Sequence, residues 1–196
     1  MQKLIPADAV LIPDQAECVF RGQIFDVYQW PQRLFDDTQH TFEMLKRPDT
    51  VVVIGVAGDK ILVIEDEQPH FGSRQSFPGG RVDKTDFSIQ AAAQREVLEE
   101  TGYHFKNWRL IKVMQPHLKI EWFVYLLVAW EAGDKQAPHP DAGEKIKARE
   151  VSFDELKQLV LDKAGYLGES LSVIGVINNL DQLLSLPEFQ GQAVNR

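Results

Sequence analysis

Short segments of this chain either alternate apolar with polar residues or are apolar throughout. Alternation is typical of a strand with one buried face, and a continuous apolar run is typical of a strand covered on both faces. Turn-forming residues at 36–38 and 57–59 separate the first four such segments into two expected hairpins. The patterns predict strands over residues 19–30, 41–47, 51–56, 60–65, 108–114, 122–130 and 148–152.

Helical spacing of apolar residues marks three further segments, at 88–101, 153–161 and 169–184. Ser88 is a suitable N-cap for the first of them, and Gly102 supplies the left-handed residue that often ends a helix. The third has apolar residues spaced along one helical face from Leu171 to Leu184. A polar loop rich in Pro and Gly is predicted for 131–144. Strands and helices together predict an α/β fold.

Composition narrows the class of protein. The chain has 196 residues, of which 44% are hydrophobic, and these values suit one domain with a sizeable core plus an extension. A net charge of −8 argues against a general nucleic-acid binder. Cys18 is the only cysteine, which excludes an internal disulfide and a cysteine-based zinc site. No apolar run approaches the ~18–20 residues of a membrane span. The N-terminal segment lacks the layout of a signal peptide, so the cytoplasm is the expected compartment.

Three carboxylates stand together in the first predicted helix. Glu96, Glu99 and Glu100 occupy positions i, i+3 and i+4, which share one helix face. Like charges at this spacing destabilise an isolated helix by about 0.2–0.5 kcal/mol, and a bound cation would offset that repulsion. Oxygen ligands select hard ions, Mg²⁺ or Mn²⁺. Arg95 can pair with Glu99 and steady the cluster. The structural alternative is an ordinary solvated helix face.

The segment that follows Pro78-Gly79-Gly80 resembles the Nudix box, GX5EX7REUXEEXGU, in which U is a bulky apolar residue. Residues 95–102, REVLEETG, match the second half of this pattern at every defined position. The first half departs from it. Counting back from Arg95 places the box glutamate at Phe87, and counting forward from Gly80 places it at Asp86. Either Asp86 replaces that glutamate or its role is lost.

The resemblance implies the Nudix fold, a mixed β-sheet sandwiched between helices. The order of elements over about residues 20–185 further resembles the branch of ADP-ribose pyrophosphatases and nucleoside-diphosphate-sugar hydrolases. This implies an N-terminal β extension over 1–48, serving dimerisation and the substrate pocket, and a Nudix hydrolase domain over 49–196. Members of that branch are commonly homodimers.

The resemblance also implies roles for particular residues. The expected metal ligands are Gly79, through its backbone carbonyl, with Glu96, Glu99 and Glu100, and the expected catalytic residues are Glu144, Glu96 and Arg95. Glu144 follows Gly143 in the polar loop, where this branch carries a mobile glutamate. Glu121 is a second candidate for the base, and His117 is a weaker one.

Substrate contacts are expected from residues outside the box. Trp30 and Phe35 are candidates for stacking on a nucleobase, which is worth about 1–3 kcal/mol per base. Packing within the hairpin or a dimer interface is the alternative for both. Arg47 and Arg74 are candidates for holding phosphates or a terminal ribose, and Glu121 for supporting that site. Ordinary surface positions are the alternative for the two arginines.

The resulting hypothesis is a Mg²⁺- or Mn²⁺-dependent hydrolase of the pyrophosphate bond in nucleoside diphosphates linked to another moiety. ADP-ribose or another nucleotide sugar is the favoured small-molecule substrate, and the products would be a nucleoside monophosphate and a sugar phosphate. Alternatives are hydrolysis of GDP-mannose, a dinucleotide or a damaged nucleoside triphosphate. A non-catalytic nucleotide-sugar sensor is the alternative of another class.

Overall fold

The computed structural model describes residues 1–69, 72–140, 143–161 and 171–195. Its strands are β1 Gln2–Ile5, β2 Glu17–Arg21, β3 Asp26–Arg33, β4 Gln39–Lys46, β5 Thr50–Ala57, β6 Lys60–Gln68, β7 Gly72–Ser76, β8 Gly79–Arg81, β9 Phe105–Met114, β10 Ile120–Glu121, β11 Val124–Ala132, β12 Lys145–Val151 and β13 Gln192–Asn195. Its helices are α1 Ile89–Thr101, α2 Phe153–Leu161, α3 Leu171–Ile174 and α4 Leu180–Leu184.

The central sheet is mixed, in the order β12-β6-β5-β11-β9, and β7 and β8 pair with β6 and β5. β5 and β11 run parallel in the middle, while the other pairs are antiparallel. Both central strands are nearly continuous apolar runs because both of their faces are covered. The α/β fold and the mixed sheet between helices are therefore confirmed.

Alternate residues of the central strands face two separate apolar cores. On one face, Val51 and Val53 of β5 pack with Ala92, Ala93 and Val97 of α1. On the other face, Ile54 and Val56 pack with residues of α2, α3 and α4. The small alanine side chains of α1 allow the helix to lie close to the sheet, and this closeness brings its acidic face to the glycine turn that precedes it.

A second sheet has the order β10-β4-β3-β2, and β10 joins the N-terminal strands to the later part of the chain. β1 instead pairs with β13, and Ile5 of β1 is buried in the core on the α1 face. The division of the chain at residue 48 stays a prediction. No helix among the described residues is long and apolar enough to cross a membrane.

Two of the predicted elements are each divided into two in the structure. The strand expected over 19–30 is two strands, β2 and β3, joined by a tight turn in which Gly22 N donates to Phe25 O at 3.0 Å. The helix expected over 169–184 is broken into α3 and α4, because Asn179 adopts an extended conformation and caps α4 by accepting from Gln182 N. Residues 169 and 170 lie outside the described residues. The helices expected at 88–101 and 153–161 are confirmed within one residue at each end.

Candidate active site

Helix α1 presents the carboxylate cluster because both of its ends are capped. Ser88 accepts a hydrogen bond from Ala91 N at 3.0 Å, and Gly102 ends the helix in the left-handed region at φ 74°. Between these ends, Ala92, Ala93 and Val97 are fully buried against the sheet. The neighbouring stripe of the helix is therefore directed at the turn formed by residues 78–80.

The cluster lines a polar cavity of about 260 Å³. The cavity brings together six of the residues expected to be ligands or catalytic groups: Gly79, Arg95, Glu96, Glu99, Glu100 and Glu144. It also contains Gly80, Arg81, Asp83 and Pro140. The other expected site residues, Trp30, Phe35, Arg47, Arg74 and Glu121, do not line it.

The glycine turn makes room for the carboxylates. Gly79 N donates to Glu100 Oε2 at 2.8 Å, and a Cβ at Gly79 would lie only 2.1 Å from Val51 O. A Cβ at Gly80 would lie 2.6 Å from the carboxylate of Glu96. A side chain at Gly79 would displace strand β5, so this glycine is sterically required. A side chain at Gly80 would instead push the Glu96 carboxylate out of its place.

The carboxylates are crowded and poorly solvated. Burial raises the pKa of Glu96 to about 7; the Arg95 guanidinium opposes this shift, and the charges of Glu99 and Glu144 add to it. Burial also raises the pKa of Glu100 well above its ordinary value, opposed by the Gly79 N–H and reinforced by the charges of Glu96, Glu144 and Asp66. The site therefore concentrates negative charge that nearby cations only partly balance.

Arg95 is the principal internal partner of this charge. It donates to Glu96 Oε1 at 2.9 Å, to Glu99 Oε2 at 3.1 Å and to the backbone carbonyl of Arg81 at 2.9 Å. It also binds both carboxylate oxygens of Asp86, at 3.2 and 2.9 Å. Hydrogen bonding to Asp86, opposed by burial and reinforced by the charge of Glu96, raises the pKa of Arg95 above its ordinary value.

The loop before α1 places Asp86, and not Phe87, against Arg95. Asp86 is bound to Arg95 and accepts from Asp83 N at 2.8 Å, while the Phe87 side chain is 85% exposed. The hydrogen bond from Arg95 lowers the pKa of Asp86. Asp86 therefore joins the cluster through Arg95, as does Asp83, which lies 3.8 Å from Arg95 and lines the cavity. Replacement of the box glutamate by Asp86 stays a prediction.

The donor set fits a hard divalent cation. All the candidate ligands are oxygen atoms, two of the carboxylates are held at raised pKa, and Gly80 leaves space next to Glu96. Within the described part of the chain, no three His, Cys, Asp or Glu side chains already form a metal-binding group. One Nη atom of Arg95 contacts both Glu96 and Glu99, and Glu100 is directed at Gly79 N.

Two residues near the cluster were not anticipated. Gln68 Nε2 donates to Asp66 Oδ2 at 3.0 Å and to Glu144 Oε1 at 3.4 Å. Asp66 also raises the pKa of Glu100 by its charge. The signal that could have identified them is strand register: Asp66 lies opposite Arg74 on β7 and opposite Ile146 on β12, two residues from Glu144.

The two aromatic candidates have different surroundings. Trp30 is 7% exposed, packs with Ile12 and Met44, and donates its indole N–H to Gln32 Oε1 at 3.1 Å. Phe35 is fully exposed, in the turn between β3 and β4. Base stacking by either residue stays a prediction.

The two candidate arginines lie outside the cavity but close to it. The Arg47 guanidinium lies 4.5 Å from the ring centroid of Trp122 and 5.6 Å from that of Phe25. Burial, and then the charge of Arg81 in the cavity wall, lower the pKa of Arg47. Arg74 is directly opposite Asp66 in the pairing of β6 with β7. Phosphate binding by either arginine stays a prediction.

Glu121 and His117 are placed away from the carboxylate cluster. Glu121 is 4% exposed, pairs with Lys46 at 2.6 Å and accepts from Ile12 N at 2.8 Å. These bonds tie β10 to β4 and to the segment before β2. His117 lines a separate, largely apolar groove of about 650 Å³ beside β4. The geometry supports a structural role for Glu121.

Replacing Glu121 should therefore affect stability rather than turnover. The Glu121→Gln variant keeps an acceptor for Ile12 N but loses the charge that pairs with Lys46, so the free energy of unfolding should fall by about 1–2 kcal/mol. Urea unfolding measures this change. Glu43→Gln, which alters an exposed carboxylate bonded to Gln29 in the same sheet, should change it by less than about 0.5 kcal/mol. Equal stability of the Glu121→Gln variant and the unmodified protein would contradict the structural role.

Comparisons with known proteins agree with this geometry. The family model described as "NUDIX domain" matches residues 46–169. The chain is 39% identical over 71 residues to "Nucleoside diphosphate-linked moiety X motif 6" of Xenopus laevis, covering 33% of this chain and 32% of that protein. It is 32% identical over 90 residues to "Uncharacterized Nudix hydrolase NudL" of Pectobacterium atrosepticum, covering 46% of each. The chain thus spans less than half of the length of these curated relatives, 32% of one and 46% of the other.

A solved structure shares the overall fold. It is titled "Crystal structure of ADP compounds hydrolase", and it matches with a TM-score of 0.67 and 18% identity, covering 88% of this chain and 93% of that one. At this identity the likeness concerns the fold alone. The family model, in contrast, covers well over half of the chain and includes the glycine turn, α1 and Glu144. With its box residues gathered around one polar cavity, this chain belongs to the NUDIX domain family.

Proposed function

We propose that this chain is a Nudix hydrolase that cleaves the pyrophosphate bond of a nucleoside diphosphate linked to another moiety, with ADP-ribose or another nucleotide sugar as substrate. The observation that carries the proposal is the polar cavity in which Glu96, Glu99 and Glu100 converge on the glycine turn. Such a cavity suits a small, highly charged group that reaches it together with divalent cations. The proposed cofactor is Mg²⁺ or Mn²⁺.

The proposed division of labour follows from charge. A divalent cation bound here would neutralise the pyrophosphate and make an attacking water more acidic. Glu96, Glu99, Glu100 and the Gly79 carbonyl would hold it. Arg95 holds the carboxylates of Glu96 and Glu99 next to each other through its two hydrogen bonds. Glu144, in the wall of the same cavity, would orient the water and take up its proton.

The arginines support binding of the substrate's phosphates. Arg81 lines the cavity, and Arg47 is close enough for the charge of Arg81 to lower its pKa. Two neighbouring guanidinium groups at the rim would be relieved of mutual repulsion by a bound phosphate. A substrate bound by both arginines would have its second phosphate or its ribose outside the metal-binding region.

A substrate panel tests the proposed reaction. Purified protein would be incubated with ADP-ribose, other nucleotide sugars, dinucleotides and nucleoside triphosphates in MgCl₂, and phosphate released by a coupled phosphatase would be measured. We expect turnover of nucleotide sugars and one nucleoside monophosphate per sugar phosphate formed. Binding of nucleotide sugars without product would instead identify a sensor, and turnover confined to triphosphates or dinucleotides would reassign the substrate class.

If a cation binds here, the increase in Tm that it causes should depend on pH. The ionised form of Glu96 is disfavoured in the fold, where its pKa is about 7 against an ordinary 4.5. Between these values the unfolded chain loses its proton first, so the stability of the cation-free protein should fall as pH rises. Mg²⁺ binds the ionised carboxylates, so the gain in Tm caused by MgCl₂ should be larger at pH 8 than at pH 6.

Thermal denaturation with EDTA or with MgCl₂ at both pH values measures this dependence. The matched variant is Glu96→Gln, in which the pH dependence of the Mg²⁺ effect should be flattened. An equal gain in Tm at both pH values, or an unchanged pH dependence in the variant, would contradict cation binding at Glu96.

We further propose that the chain forms a homodimer through its N-terminal strands. Val19, Phe20 and Ile24 are each at least half exposed around the β2–β3 turn, Phe35 is fully exposed, and an apolar groove of about 650 Å³ lies beside β4. This is more apolar surface than one small sheet usually leaves in water. Light scattering should give about twice the 22.3 kDa of one chain at micromolar concentration. A monomer mass would contradict the proposal, and Phe20→Glu should shift the equilibrium towards monomer.

A further inference from the structure

Glu144 is held at the boundary of a strand. β12 begins at Lys145, which lies opposite Glu67 of β6, and the next pair is Ile146 with Asp66. Continuing this antiparallel register by one residue places Glu144 opposite Gln68. Directly opposed residues of an antiparallel pair share one face of the sheet. The hydrogen bond from Gln68 Nε2 to Glu144 Oε1, at 3.4 Å, follows from this register.

The shared face is the one that carries the acidic cavity. Glu150 lies six residues after Glu144, so the two side chains are on the same face of the sheet. Glu150 accepts a hydrogen bond from Tyr103, the second residue after α1. Arg149, whose side chain is on the other face, pairs instead with Glu155 of α2 at 2.5 Å. On β6, Leu62 packs in the core on the α1 face. Gln68 is an even number of residues from Leu62 on the same strand, so its amide lies on the same side of the sheet as α1.

Gln68 joins two carboxylates that would otherwise repel each other. Its amide nitrogen donates to Asp66 Oδ2 at 3.0 Å as well as to Glu144. Glu144 lines the cavity, and Asp66 is bonded to the same amide nitrogen. A glutamine amide has two N–H hydrogens and no charge, so it can bridge two carboxylates without adding to the charge of the site.

We propose that Gln68 is a positioning residue, which holds Glu144 at the cavity wall in the orientation needed to act on the attacking water. This inference rests on the proposed function, because it concerns the residue assigned there as the base. Gly143, on the other side of Glu144, lies in open space and has no side chain with which to contact the glutamate. The side-chain amide of Gln68 restrains Glu144 from the opposite strand.

Gln68→Leu removes the amide while keeping a similar side-chain volume. We expect kcat to fall about 10- to 100-fold with KM within a factor of about three, because misplacing a base affects the chemical step more than substrate binding. Gln75→Leu is the matched control. Gln75 lies in the same sheet, and its Oε1 accepts a hydrogen bond from Arg149 at 3.4 Å. Its side chain is on the α2 face, because Gln75 lies opposite Glu65, which is an odd number of residues from Gln68 on β6. Its kcat should stay near that of the unmodified protein.

A double-mutant cycle separates positioning from general damage. In the Glu144→Gln background, Gln68→Leu should have little further effect on kcat, because the group that it positions has already lost its function. Gln68→Glu should be at least as impaired as Gln68→Leu, since a third carboxylate would repel Asp66 and Glu144. Thermal denaturation of every variant checks that the protein remains folded under the assay conditions.

Each other outcome overturns a defined part of the proposal. Unchanged kcat in Gln68→Leu, an equal loss in Gln75→Leu, or independent losses that multiply in the double mutant would overturn the positioning role. Full kcat in Glu144→Gln would overturn the role of Glu144 and of Gln68 with it, while leaving the proposed reaction intact. Absence of turnover by the unmodified protein on the whole substrate panel would overturn the proposed function itself.

Discussion

Glu100→Gln is expected to lower kcat about 10³-fold at saturating MgCl₂ while the protein stays folded. Glu100 is 6% exposed and accepts from Gly79 N at 2.8 Å. The amide oxygen of glutamine can keep that hydrogen bond, so the glycine turn should remain in place. The amide carries no charge, however, and it is a poor ligand for Mg²⁺. The variant therefore removes the charge of an expected cation ligand with little effect on the local structure.

Steady-state kinetics across a range of MgCl₂ concentrations measure the effect. Glu155→Gln is a suitable control, since Glu155 is a partly exposed acid that pairs with Arg149 on the α2 face. Its kcat should be nearly unchanged. Near-normal turnover of Glu100→Gln at saturating MgCl₂ would refute the assignment of the helix carboxylates as cation ligands.

The first helix and its acidic face could be predicted from sequence because the signals are local. Ser88 and Gly102 define the ends of α1 within a few bonds of the residues they cap. Once the helix is placed, the spacing of its carboxylates decides which of them share a face. The burial of Ala92, Ala93 and Val97 then determines which face of the helix meets the sheet.

The errors in strands and helices arise where the chain reverses without breaking the apolar pattern. Residues 19–30 keep a strand-like composition through the turn, and the hydrogen bond from Gly22 N to Phe25 O that closes the turn is a property of the backbone. Between α3 and α4, apolar residues continue at helical spacing, yet the side chain of Asn179 binds Gln182 N and starts a new helix. Periodicity reports which residues are buried, and it is insensitive to a short interruption.

The remainder of the site depends on contacts between distant segments. Spacing alone left Asp86 and Phe87 as alternatives, because the loop conformation decides which side chain reaches Arg95. Asp66 and Gln68 belong to the site through the pairing of β6 with β12, whose residues are about 80 positions apart. The role of Glu121 also depends on distant segments. The sequence makes it a candidate for the base, whereas in the fold it is bonded to Lys46 and Ile12.

Glu144→Gln is the second variant with a large expected effect. Glu144 lines the cavity, and its charge raises the pKa of both Glu96 and Glu100. If its carboxylate orients the attacking water and takes up the proton, the neutral amide cannot do so, and kcat should fall by roughly 10²–10⁴. KM should change little, because the arginines proposed to bind the phosphates and the helix carboxylates are untouched.

Comparison with Glu121→Gln makes this prediction selective, because both variants replace one carboxylate by an amide of the same shape. Only Glu144 belongs to the cavity; Glu121 is bonded to Lys46 and Ile12, so its variant should keep kcat under conditions where it is folded. The decisive measurement is kcat for both variants over a range of MgCl₂ concentrations. Full kcat in Glu144→Gln, together with loss of activity in folded Glu121→Gln at every MgCl₂ concentration, would reverse the assignment and make Glu121 the base.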